Sequence, residues 1–471
     1  MADKIYDVAI VGSGPAGYTA AIRAGQFGLK TALIEKDNVL GGTCLHVGCI
    51  PTKALLFNAE IYDHLKDAAE FGIEGLGTPK LNWPKIQDRK DKIVTKHTKG
   101  LDFLMRKNKV DVIRGYGKLT GPAKNGVVTV EVENGGAKSQ VQAKNVLLAS
   151  GSEARMISGL KPDDRILTNI EILSIKDIPK SLIVVGSGAV GVEFASIYNS
   201  FGTKVTVVEM LPRIVPVEDE EVSKELARVY RKRNIEVLTG ASVTKVEKTK
   251  TGVAVEVEVE GKTQRLEADK VLIAIGRRPR TENLGLEKTK IQAERGFVMV
   301  NEWMQTEEPN IYAIGDIVFG LPQLAHSGAM EGMVAVAKIA GKPAKPVNPL
   351  RIPNCTYCHP EIGSVGYTEA KAREKEFDVK VGKFPFTANS RASIVGAHEG
   401  FIKVVSDTKH GEILGVHIIG PNATELIAQS VAAMELEATV ESMMYTIHAH
   451  PTLSEGIRDA FESVYGLAID M

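Results

Sequence analysis

The sequence has few cysteines, no net charge and no long apolar run, and each absence excludes a class of protein. Four cysteines among 471 residues are too few for the disulfide framework of a secreted protein. The formal net charge is zero, so no overall field attracts nucleic acid or an anionic membrane. No apolar run approaches the roughly 20 residues that span a bilayer. We therefore expect neither a nucleic-acid partner nor a membrane partner.

Glycine, in contrast, is abundant. The chain has 45 glycines, and its 44% hydrophobic and 25% charged residues are typical of a globular protein. The chain is too long to fold around one ordinary hydrophobic core, so its length predicts three or four domains. The N-terminal residues run into a strand without a signal peptide or an Arg-rich transit segment. We expect the cytoplasm of a bacterium, with a processed organellar protein as the alternative.

A glycine-rich loop follows the first predicted strand, at 5–11. The loop leads into a helix of small residues, and a second strand then ends in an acidic residue. The defining positions are Gly12, Gly14, Gly17 and Glu35. Such glycines let the backbone approach a pyrophosphate at a helix N-terminus, and the carboxylate can accept hydrogen bonds from ribose hydroxyls. The pattern predicts a dinucleotide-binding βαβ unit.

The same unit occurs again 174 residues later, at Gly186, Gly188, Gly191 and Glu209. One chain therefore carries two predicted dinucleotide sites with identical internal spacing. An acidic residue at the end of the second strand favours NAD over NADP, because it accepts from the 2′-hydroxyl and repels a 2′-phosphate. Arg213 is the one contrary signal.

Cys44 and Cys49 lie shortly after the first loop, and a pair in that position indicates redox chemistry. Pro51 suits the first turns of a helix. Residues five apart in an ideal helix have Cα atoms roughly 8–9 Å apart, whereas a disulfide needs less than about 7 Å. A bond between them would require an irregular backbone, which Gly48 permits. The alternative is two reduced, buried structural cysteines.

Other segments organise the rest of the chain. Residues 85–109 predict a solvated amphipathic helix, and the alternation over 127–132 predicts antiparallel strands. Residues 341–349 predict a linker. Beyond it we expect strands at 401–405 and 413–419 and helices at about 422–434 and 440–445.

The string Cys355-Thr-Tyr-Cys358-His359 matches a c-type haem attachment pattern. No export signal accompanies it, and no second ligand pair has metal spacing. We interpret both cysteines as reduced structural thiols and expect no metal.

The segment from Gly41 to Lys53 resembles the redox-active disulfide of the flavin-dependent pyridine nucleotide-disulfide oxidoreductases, most closely their dihydrolipoamide dehydrogenase branch. It departs from the usual form at His46 and Thr52. A second segment, in which Glu455 follows His450, resembles the acid–base segment of that family. The resemblance covers essentially the whole chain.

The resemblance implies a role for each of these side chains. Cys44 would exchange with substrate and Cys49 would face the flavin as the charge-transfer thiol. His450 would be the base and Glu455 its orienting carboxylate, acting from the other subunit of a homodimer. Glu193 matches a glutamate that lies near the flavin in the family; an exposed helix charge is the alternative.

The resemblance also implies the cofactors, FAD and NAD. The implied FAD contacts are Gly12, Gly14, Gly17, Glu35, Gly42, Thr43, Lys53, Gly117, Ser150, Gly151, Ser152, Asp316, Gln323, Leu324, Ala325 and His326. The implied NAD contacts are Gly186, Gly188, Gly191, Glu193, Glu209, Val243 and Gly276.

The implied fold is α/β, with two Rossmann-like dinucleotide-binding domains and a C-terminal α+β dimerisation domain. We expect an FAD-binding domain at 1–149, an NAD-binding domain at 150–276, a central segment completing the FAD site at 277–346 and an interface domain at 347–471.

The implied reaction is oxidation of protein-bound dihydrolipoyl groups with reduction of NAD. The implied partners are lipoyl domains of 2-oxoacid dehydrogenase complexes or the glycine cleavage H protein. Rival activities are those of the glutathione-, mercury- and thioredoxin-reducing relatives and of a soluble transhydrogenase. Glu209 disfavours the glutathione-reducing type, and the absence of a C-terminal cysteine pair disfavours the mercury- and thioredoxin-reducing types. Cys49 disfavours the soluble transhydrogenase, which lacks the second cysteine. A non-catalytic subunit of a dehydrogenase complex would not need the Cys–Cys and His–Glu pairs.

Overall fold

The computed structural model describes residues 4–470 and divides into two compact units. The first unit consists of the chain up to Ala54 together with Lys85–Arg155 and Arg277–Pro349. The second consists of Leu55–Pro84, Met156–Gly276 and the chain from Leu350 onward. Each unit is therefore assembled from stretches that are distant in sequence.

Strands and helices alternate in the two glycine-loop units, and elsewhere several strands follow one another. The strands are β1 (Ile5–Val11), β2 (Thr31–Glu35), β3 (Val110–Arg114), β4 (Tyr116–Leu119), β5 (Val128–Asn134), β6 (Ala137–Leu148), β7 (Ser152–Ala154), β8 (Ile166–Leu167), β9 (Ser181–Val185), β10 (Lys204–Val208), β11 (Glu236–Leu238), β12 (Ala241–Lys248), β13 (Val253–Val259), β14 (Lys262–Ala268), β15 (Lys270–Ile273), β16 (Arg277–Pro279), β17 (Ala293–Glu294), β18 (Phe297–Val298), β19 (Ile311–Ala313), β20 (Asn354–Thr356), β21 (Glu361–Gly366), β22 (Val379–Pro385), β23 (Phe401–Asp407) and β24 (Ile413–Gly420). The helices are α1 (Pro15–Gln26), α2 (Gly42–Val47), α3 (Cys49–Lys66), α4 (Trp83–Lys107), α5 (Asn169–Ile172), α6 (Ala189–Ser200), α7 (Glu220–Lys232), α8 (Ala325–Ile339), α9 (Glu369–Glu374), α10 (Ser390–Val395), α11 (Ala423–Glu435), α12 (Val440–Met444) and α13 (Glu455–Ser463).

The first unit is built on a sheet with the order β3-β2-β1-β6-β5-β4, in which β19 also pairs with β6. Strands β3, β2, β1, β6 and β19 are parallel, whereas β5 and β4 extend the sheet in antiparallel pairing. Val8 and Ile10 of β1 pack into one apolar core, and Ala9 and Val11 pack into another. The central strand is buried on both faces, which explains its continuous apolar run.

The second unit contains a parallel sheet with the order β11-β10-β9-β15-β8, an antiparallel sheet of β12, β13 and β14, and an antiparallel sheet with the order β20-β21-β24-β23-β22. The parallel sheet repeats the strand–helix–strand unit of the first unit, with α6 between β9 and β10. In the last sheet, β23 and β24 form the centre of an apolar core with α11 and α13.

The predicted fold class is confirmed: the chain is α/β, with two Rossmann-like units and a C-terminal α+β segment. The amphipathic helix is α4, which begins two residues before the predicted range and ends two residues before its end. The four domain ranges stay predictions. Between residues 4 and 470, no helix is long and apolar enough to cross a membrane.

Candidate active site and nucleotide sites

The two cysteines of the 41–53 segment lie on different helices. Cys44 is in α2, which ends at Val47, and Cys49 is the first residue of α3. Gly48 separates the helices with φ −147° and ψ −117°. A Cβ at this position would lie 2.9 Å from the carbonyl oxygen of Thr43, so any side chain here would strain the break. The irregularity therefore occurs at the glycine that the sequence indicated.

Both cysteines are half-buried. The hydrogen bond to Cys49, burial and the nearby charge of Cys49 raise the pKa of the Cys44 thiol well above its ordinary value, and Lys53 opposes them. Cys49 lies at the N-terminus of the 18-residue helix α3, where the helix dipole favours a thiolate. Lys53 follows four residues later on the same face of that helix. The geometry favours Cys49 as the thiolate of the pair and Cys44 as its neutral hydrogen-bond donor.

The first glycine loop is shaped to admit a phosphate. A Cβ on Gly12 would lie 2.2 Å from the carbonyl oxygen of Ala149, and one on Gly17 would lie 1.9 Å from that of Gly12. Gly14 differs, because a Cβ there meets no atom within 4 Å. It caps the N-terminus of α1, and Pro15 occupies the first turn. Tight packing thus holds the loop, while open space remains at a helix N-terminus, which fits the pyrophosphate of a dinucleotide.

Glu35 is held beside this loop. It is only 7% exposed. One carboxylate oxygen accepts from the amide and the hydroxyl of Ser13, at 2.9 and 2.6 Å, and the other accepts from the Asp37 amide at 2.9 Å. A carboxylate has about four acceptor positions, so one position is left for a ribose hydroxyl.

The remaining predicted FAD residues all belong to the first unit. The Ser152 hydroxyl donates to the Asp316 carboxylate, and the side-chain amide of Gln323 donates to the Asp316 carbonyl at 3.1 Å. The Ser150 hydroxyl donates to the carbonyl of Arg280 at 2.6 Å. The others lie in α2 (Gly42, Thr43), in β4 (Gly117), after β6 (Gly151) and at the start of α8 (Leu324, Ala325, His326).

Sequence reasoning missed Arg277. Its guanidinium donates to the hydroxyl and the carbonyl of Ser152, at 2.7 and 2.9 Å, and lies 4.0 Å from the Asp316 carboxylate. Burial lowers the pKa of Arg277, and the Asp316 charge opposes that shift. The only signal in the sequence is its position directly after Gly276, where the chain leaves the nicotinamide segment.

The second glycine loop repeats the geometry of the first. A Cβ on Gly186 would lie 2.4 Å from the carbonyl oxygen of Ala274, and one on Gly191 would lie 2.0 Å from that of Gly186. Gly188 again has open space around it, at the N-terminus of α6. The loop therefore also fits a dinucleotide pyrophosphate.

Glu209 occupies the position of Glu35 in this second loop. It is 8% exposed and accepts from the amide and hydroxyl of Ser187, at 2.8 and 2.7 Å, and from the Leu211 amide at 2.8 Å. The Arg213 guanidinium donates to the carbonyl of Pro216, at 3.1 Å, within its own loop. Arg213 is therefore a weaker argument for NADP than its position in the sequence suggests, because its guanidinium already donates to a backbone carbonyl.

Glu193 is buried, at 4% exposure, and accepts from the backbone amide of Tyr357 at 3.0 Å. The alternative of an exposed helix charge is wrong, because the side chain is buried. The Tyr357 amide supplies a hydrogen-bond donor, which a buried carboxylate requires. The two other predicted NAD residues lie in the same unit: Val243 is half-buried on β12, and Gly276 follows β15 with φ +102°.

His450 and Glu455 form a hydrogen-bonded pair. The ring Nδ1 lies 3.0 Å from one Glu455 oxygen, and the other oxygen accepts from the Thr452 amide at 2.8 Å. Burial alone would raise the pKa of the Glu455 carboxyl, but these two hydrogen bonds hold it below its ordinary value. A carboxylate at Nδ1 requires a proton there, so the neutral ring has a free lone pair on Nε2. That nitrogen can accept a proton from a substrate, and the ring is 73% exposed.

Cys355 and Cys358 have separate surroundings. The Cys358 thiol is buried and donates to the carbonyl of Pro360 at 3.2 Å, whereas the Cys355 thiol lies 3.9 Å from the carbonyl of Thr424. Over the described range 4–470, no group of three or more His, Cys, Asp and Glu side chains is arranged to hold a metal ion. These contacts suit structural thiols.

Comparison with solved structures and curated proteins gives consistent relatives. Dihydrolipoyl dehydrogenase of Bacillus subtilis is 46% identical over 98% of this chain and 99% of its own length, and that of Rhizobium etli is 44% identical over 99% of each chain. The crystal structure of LpdA from Mycobacterium tuberculosis matches with a TM-score of 0.89 and 29% identity, covering 97% of this chain and 98% of that one. The HOCl-induced flavoprotein disulfide reductase RclA from Escherichia coli matches with a TM-score of 0.85 and 26% identity, over 97% and 99%.

Two family models match the chain along most of its length. The model described as pyridine nucleotide-disulphide oxidoreductase matches residues 6–332, and its dimerisation domain matches residues 352–461. The first match contains both glycine loops and the Cys44–Cys49 pair, and the second contains the His450–Glu455 pair. The chain therefore belongs to the pyridine nucleotide-disulphide oxidoreductase family.

Proposed function

We propose that this chain is a dihydrolipoyl dehydrogenase, which oxidises protein-bound dihydrolipoyl groups to lipoyl groups and reduces NAD. The observation that carries the proposal is the hydrogen-bonded Cys44–Cys49 pair at the break between α2 and α3. This segment is tied to the first nucleotide loop, because the Gly41 amide donates to the Ser13 carbonyl at 3.0 Å. Membership of the family confirms the predicted enzyme class and the cofactors FAD and NAD.

The first half of the reaction transfers two electrons from the substrate to the cysteine pair. His450 takes a proton from one lipoyl thiol, and the resulting thiolate attacks Cys44 of the oxidised pair. The Cys44–Cys49 bond breaks, a mixed disulfide forms at Cys44 and Cys49 leaves as a thiolate. The second lipoyl thiol, once deprotonated, attacks the lipoyl sulfur of the mixed disulfide. The lipoyl disulfide closes and Cys44 leaves to take up a proton.

The second half restores the cysteine disulfide. FAD, when bound, supplies two-electron transfer from the dithiol to NAD. The chain supports this half by placing Cys49 at the N-terminus of α3, where the helix dipole favours a thiolate, while the hydrogen bond to Cys49 and burial favour a neutral Cys44. The balance is one dihydrolipoyl group and one NAD⁺ converted to one lipoyl group, one NADH and one proton.

The assignment of one nucleotide to each glycine loop leads to a proposal for the domain ranges. We propose 1–149 and 277–346 for FAD and 150–276 for NAD, with 347–471 as the interface domain. In support, the implied FAD contacts all fall in the first compact unit, and the implied NAD contacts all fall in the second.

We also propose that the active form is a homodimer in which His450 comes from the partner subunit. The match to a dimerisation domain and the exposed His450 ring support this arrangement. The proposed substrates are lipoyl domains of 2-oxoacid dehydrogenase complexes or the glycine cleavage H protein. A bacterial cytoplasmic location is consistent with the bacterial sources of the relatives.

Turnover of the purified protein tests the proposal. We expect dihydrolipoamide to be oxidised with NAD, and glutathione disulfide with NADPH to give little or no rate. Cys44→Ser and Cys49→Ser should each abolish dithiol turnover, because neither variant can form the disulfide. Cys44→Ser should keep a long-wavelength absorbance band of a thiolate beside the flavin, and Cys49→Ser should lose it.

Cys355→Ser serves as the matched control, since Cys355 is half-buried like the redox pair and lies outside it. It should keep nearly full activity. Efficient reduction of glutathione disulfide with NADPH, or full dithiol turnover in Cys49→Ser, would refute the proposed function.

A further inference from the structure

The internal repeat extends beyond the glycines and the acidic residue. Ser13 and Ser187 stand between the first two glycines of their loops and are again 174 residues apart. Gly41 and Val215, which follow the second strand of each unit, are separated by the same 174 residues. The Gly41 amide donates to the Ser13 carbonyl at 3.0 Å, and the Val215 amide donates to the Ser187 carbonyl at 3.1 Å. Each serine is therefore fixed from one side by a later segment of its own unit.

Each serine is also bonded to the acidic residue of its loop. The Ser187 amide and hydroxyl both donate to the same oxygen of Glu209, and Ser13 bonds Glu35 in the same way. Both serines are fully buried, at 0% exposure, so neither hydroxyl exchanges this partner for water. The same three-residue arrangement in two separate loops indicates a functional requirement that both nucleotides share.

The hydrogen bonds determine which part of the carboxylate is available. In Glu209, one oxygen is filled by the two Ser187 donors, and the other accepts, among residues 4–470, only from the Leu211 amide. Because a carboxylate oxygen accepts about two hydrogen bonds, the open position lies on the second oxygen. Without the Ser187 hydroxyl, an open position would appear on the first oxygen and the side chain would lose a restraint on its rotation.

We propose that Ser187 is a positioning residue for nicotinamide nucleotide recognition, whose hydroxyl orients the Glu209 carboxylate toward the ribose that carries the 2′-hydroxyl. Ser13 does the same for Glu35 at the other nucleotide. This inference rests on the NAD preference of the proposed function. Neither serine touches the reacting atoms, so their effect is on affinity and on the choice between nucleotides.

The test uses Ser187→Ala and Ser13→Ala, which remove the same hydroxyl from the two loops. The probe is ADP-ribose, titrated calorimetrically into the FAD-loaded dimer, because it carries the 2′-hydroxyl and the pyrophosphate but undergoes no redox reaction. Ser187→Ala should weaken ADP-ribose binding roughly 10-fold, or about 1.4 kcal/mol. Its KM for NAD should rise while kcat is nearly kept, and its preference for ADP-ribose over the 2′-phosphorylated form should narrow. Its FAD content should be unchanged.

Ser13→Ala should give the reverse pattern. FAD should be lost faster on dialysis, and the fraction that keeps FAD should bind ADP-ribose normally. A purely structural role predicts something else: both variants would lose thermal stability, FAD and ADP-ribose affinity together. That result, or unchanged ADP-ribose affinity in Ser187→Ala, would overturn the inference.

The experiment separates this inference from the proposed function. If the unmodified protein binds ADP-ribose but does not oxidise dihydrolipoamide, the proposed reaction is wrong and the serine comparison still stands. If the unmodified protein binds the 2′-phosphorylated form more tightly than ADP-ribose, the recognition by Glu209 is wrong and the inference is refuted with it.

Discussion

At the scale of single residues, hydrogen bonds distinguish two neighbouring histidines. His448 uses both ring nitrogens, with Nδ1 at 2.8 Å from the Thr446 carbonyl and Nε2 at 2.6 Å from the side-chain amide of Gln429. His450 uses Nδ1 on Glu455 and leaves Nε2 available. The two residues have the same chemistry, but only His450 is arranged to take up a proton.

We therefore predict that His450→Gln lowers dithiol-dependent turnover by roughly 10²–10⁴, the usual contribution of a general base. The variant should keep its FAD, because the residue lies outside both glycine loops. Steady-state turnover with dihydrolipoamide and NAD measures the effect. His448→Gln is the control and should stay within a few-fold of the unmodified enzyme. The assignment of the base would be wrong if His448→Gln were the slower of the two.

At the scale of elements, the two glycine loops show that glycines in one motif have different tasks. Gly191 is required by packing, since a Cβ would lie 2.0 Å from the carbonyl oxygen of Gly186. Gly188 is not required by packing, because no atom lies within 4 Å of its Cβ position. The space beside Gly188 is at the N-terminus of α6, where the proposed pyrophosphate binds.

These two substitutions should therefore fail in different ways. Gly188→Ala should fold, keep its FAD and its thermal unfolding midpoint, and lose affinity for NAD, because the added methyl group occupies the phosphate position. Gly191→Ala should lower the unfolding midpoint, because two backbone segments must separate. Differential scanning fluorimetry and ADP-ribose titration measure the two effects. Normal nucleotide binding by Gly188→Ala would show that the pyrophosphate does not lie against this residue.

Local patterns predicted most of the elements that carry the site. The strand–glycine–helix–strand units are signalled within about 30 residues, so β1, α1 and β2 and their repeat at β9, α6 and β10 could be predicted. The break at Gly48 could also be anticipated from the spacing of the two cysteines. Strands β21 and β22 are harder to predict, because glycine, which is typical of turns, interrupts both of them, at Gly363 and Gly382.

Contacts between distant parts of the chain left no local signal. Arg277 reaches Ser152 across 125 residues, and Glu193 accepts from an amide 164 residues away. No periodicity encodes such pairings, because they depend on how the strands are ordered in the sheets. The burial of Glu193 therefore became evident only in the folded chain.

At the scale of the whole molecule, buried charges join the nucleotide segment of the second unit to its C-terminal sheet. The ammonium group of Lys403 on β23 lies 2.9 Å from Asp219, 2.8 Å from Glu221 and 2.8 Å from Glu369, and the lysine is only 2% exposed. Burial would lower the pKa of Lys403, but these carboxylates raise it well above its ordinary value. Removing the lysine alone would leave the buried Asp219 carboxylate without its ion pair, whereas Glu221 and Glu369 would keep Lys383 and Arg373. Lys403 and Asp219 therefore hold the two segments together.

Glu218, which precedes this network, should make the stability of the unit depend on pH. It is 2% exposed, and Asn354 donates to one of its oxygens. Over the part of the chain that the structure describes, the other oxygen has no hydrogen-bond partner. Burial raises the pKa of Glu218 from its ordinary value of 4.5 to about 7, with a smaller contribution from the Asp219 charge and opposition from Ser364 and Asn354. Between pH 4.5 and 7, the folded chain holds this proton while the unfolded chain releases it.

The free energy of unfolding should consequently fall as the pH rises through that window, by roughly 3 kcal/mol for this group. Glu218→Gln stays neutral at every pH, so it should remove this part of the decline and be more stable than the unmodified protein at pH 8 but not at pH 5. Thermal unfolding midpoints at the two pH values measure the difference. Glu220→Gln is the control, because Glu220 lies two residues away with an exposed side chain that pairs with Lys224. If Glu218→Gln and Glu220→Gln show the same pH dependence as the unmodified protein, Glu218 is ionised in the folded state, and the uptake of its proton does not stabilise this unit.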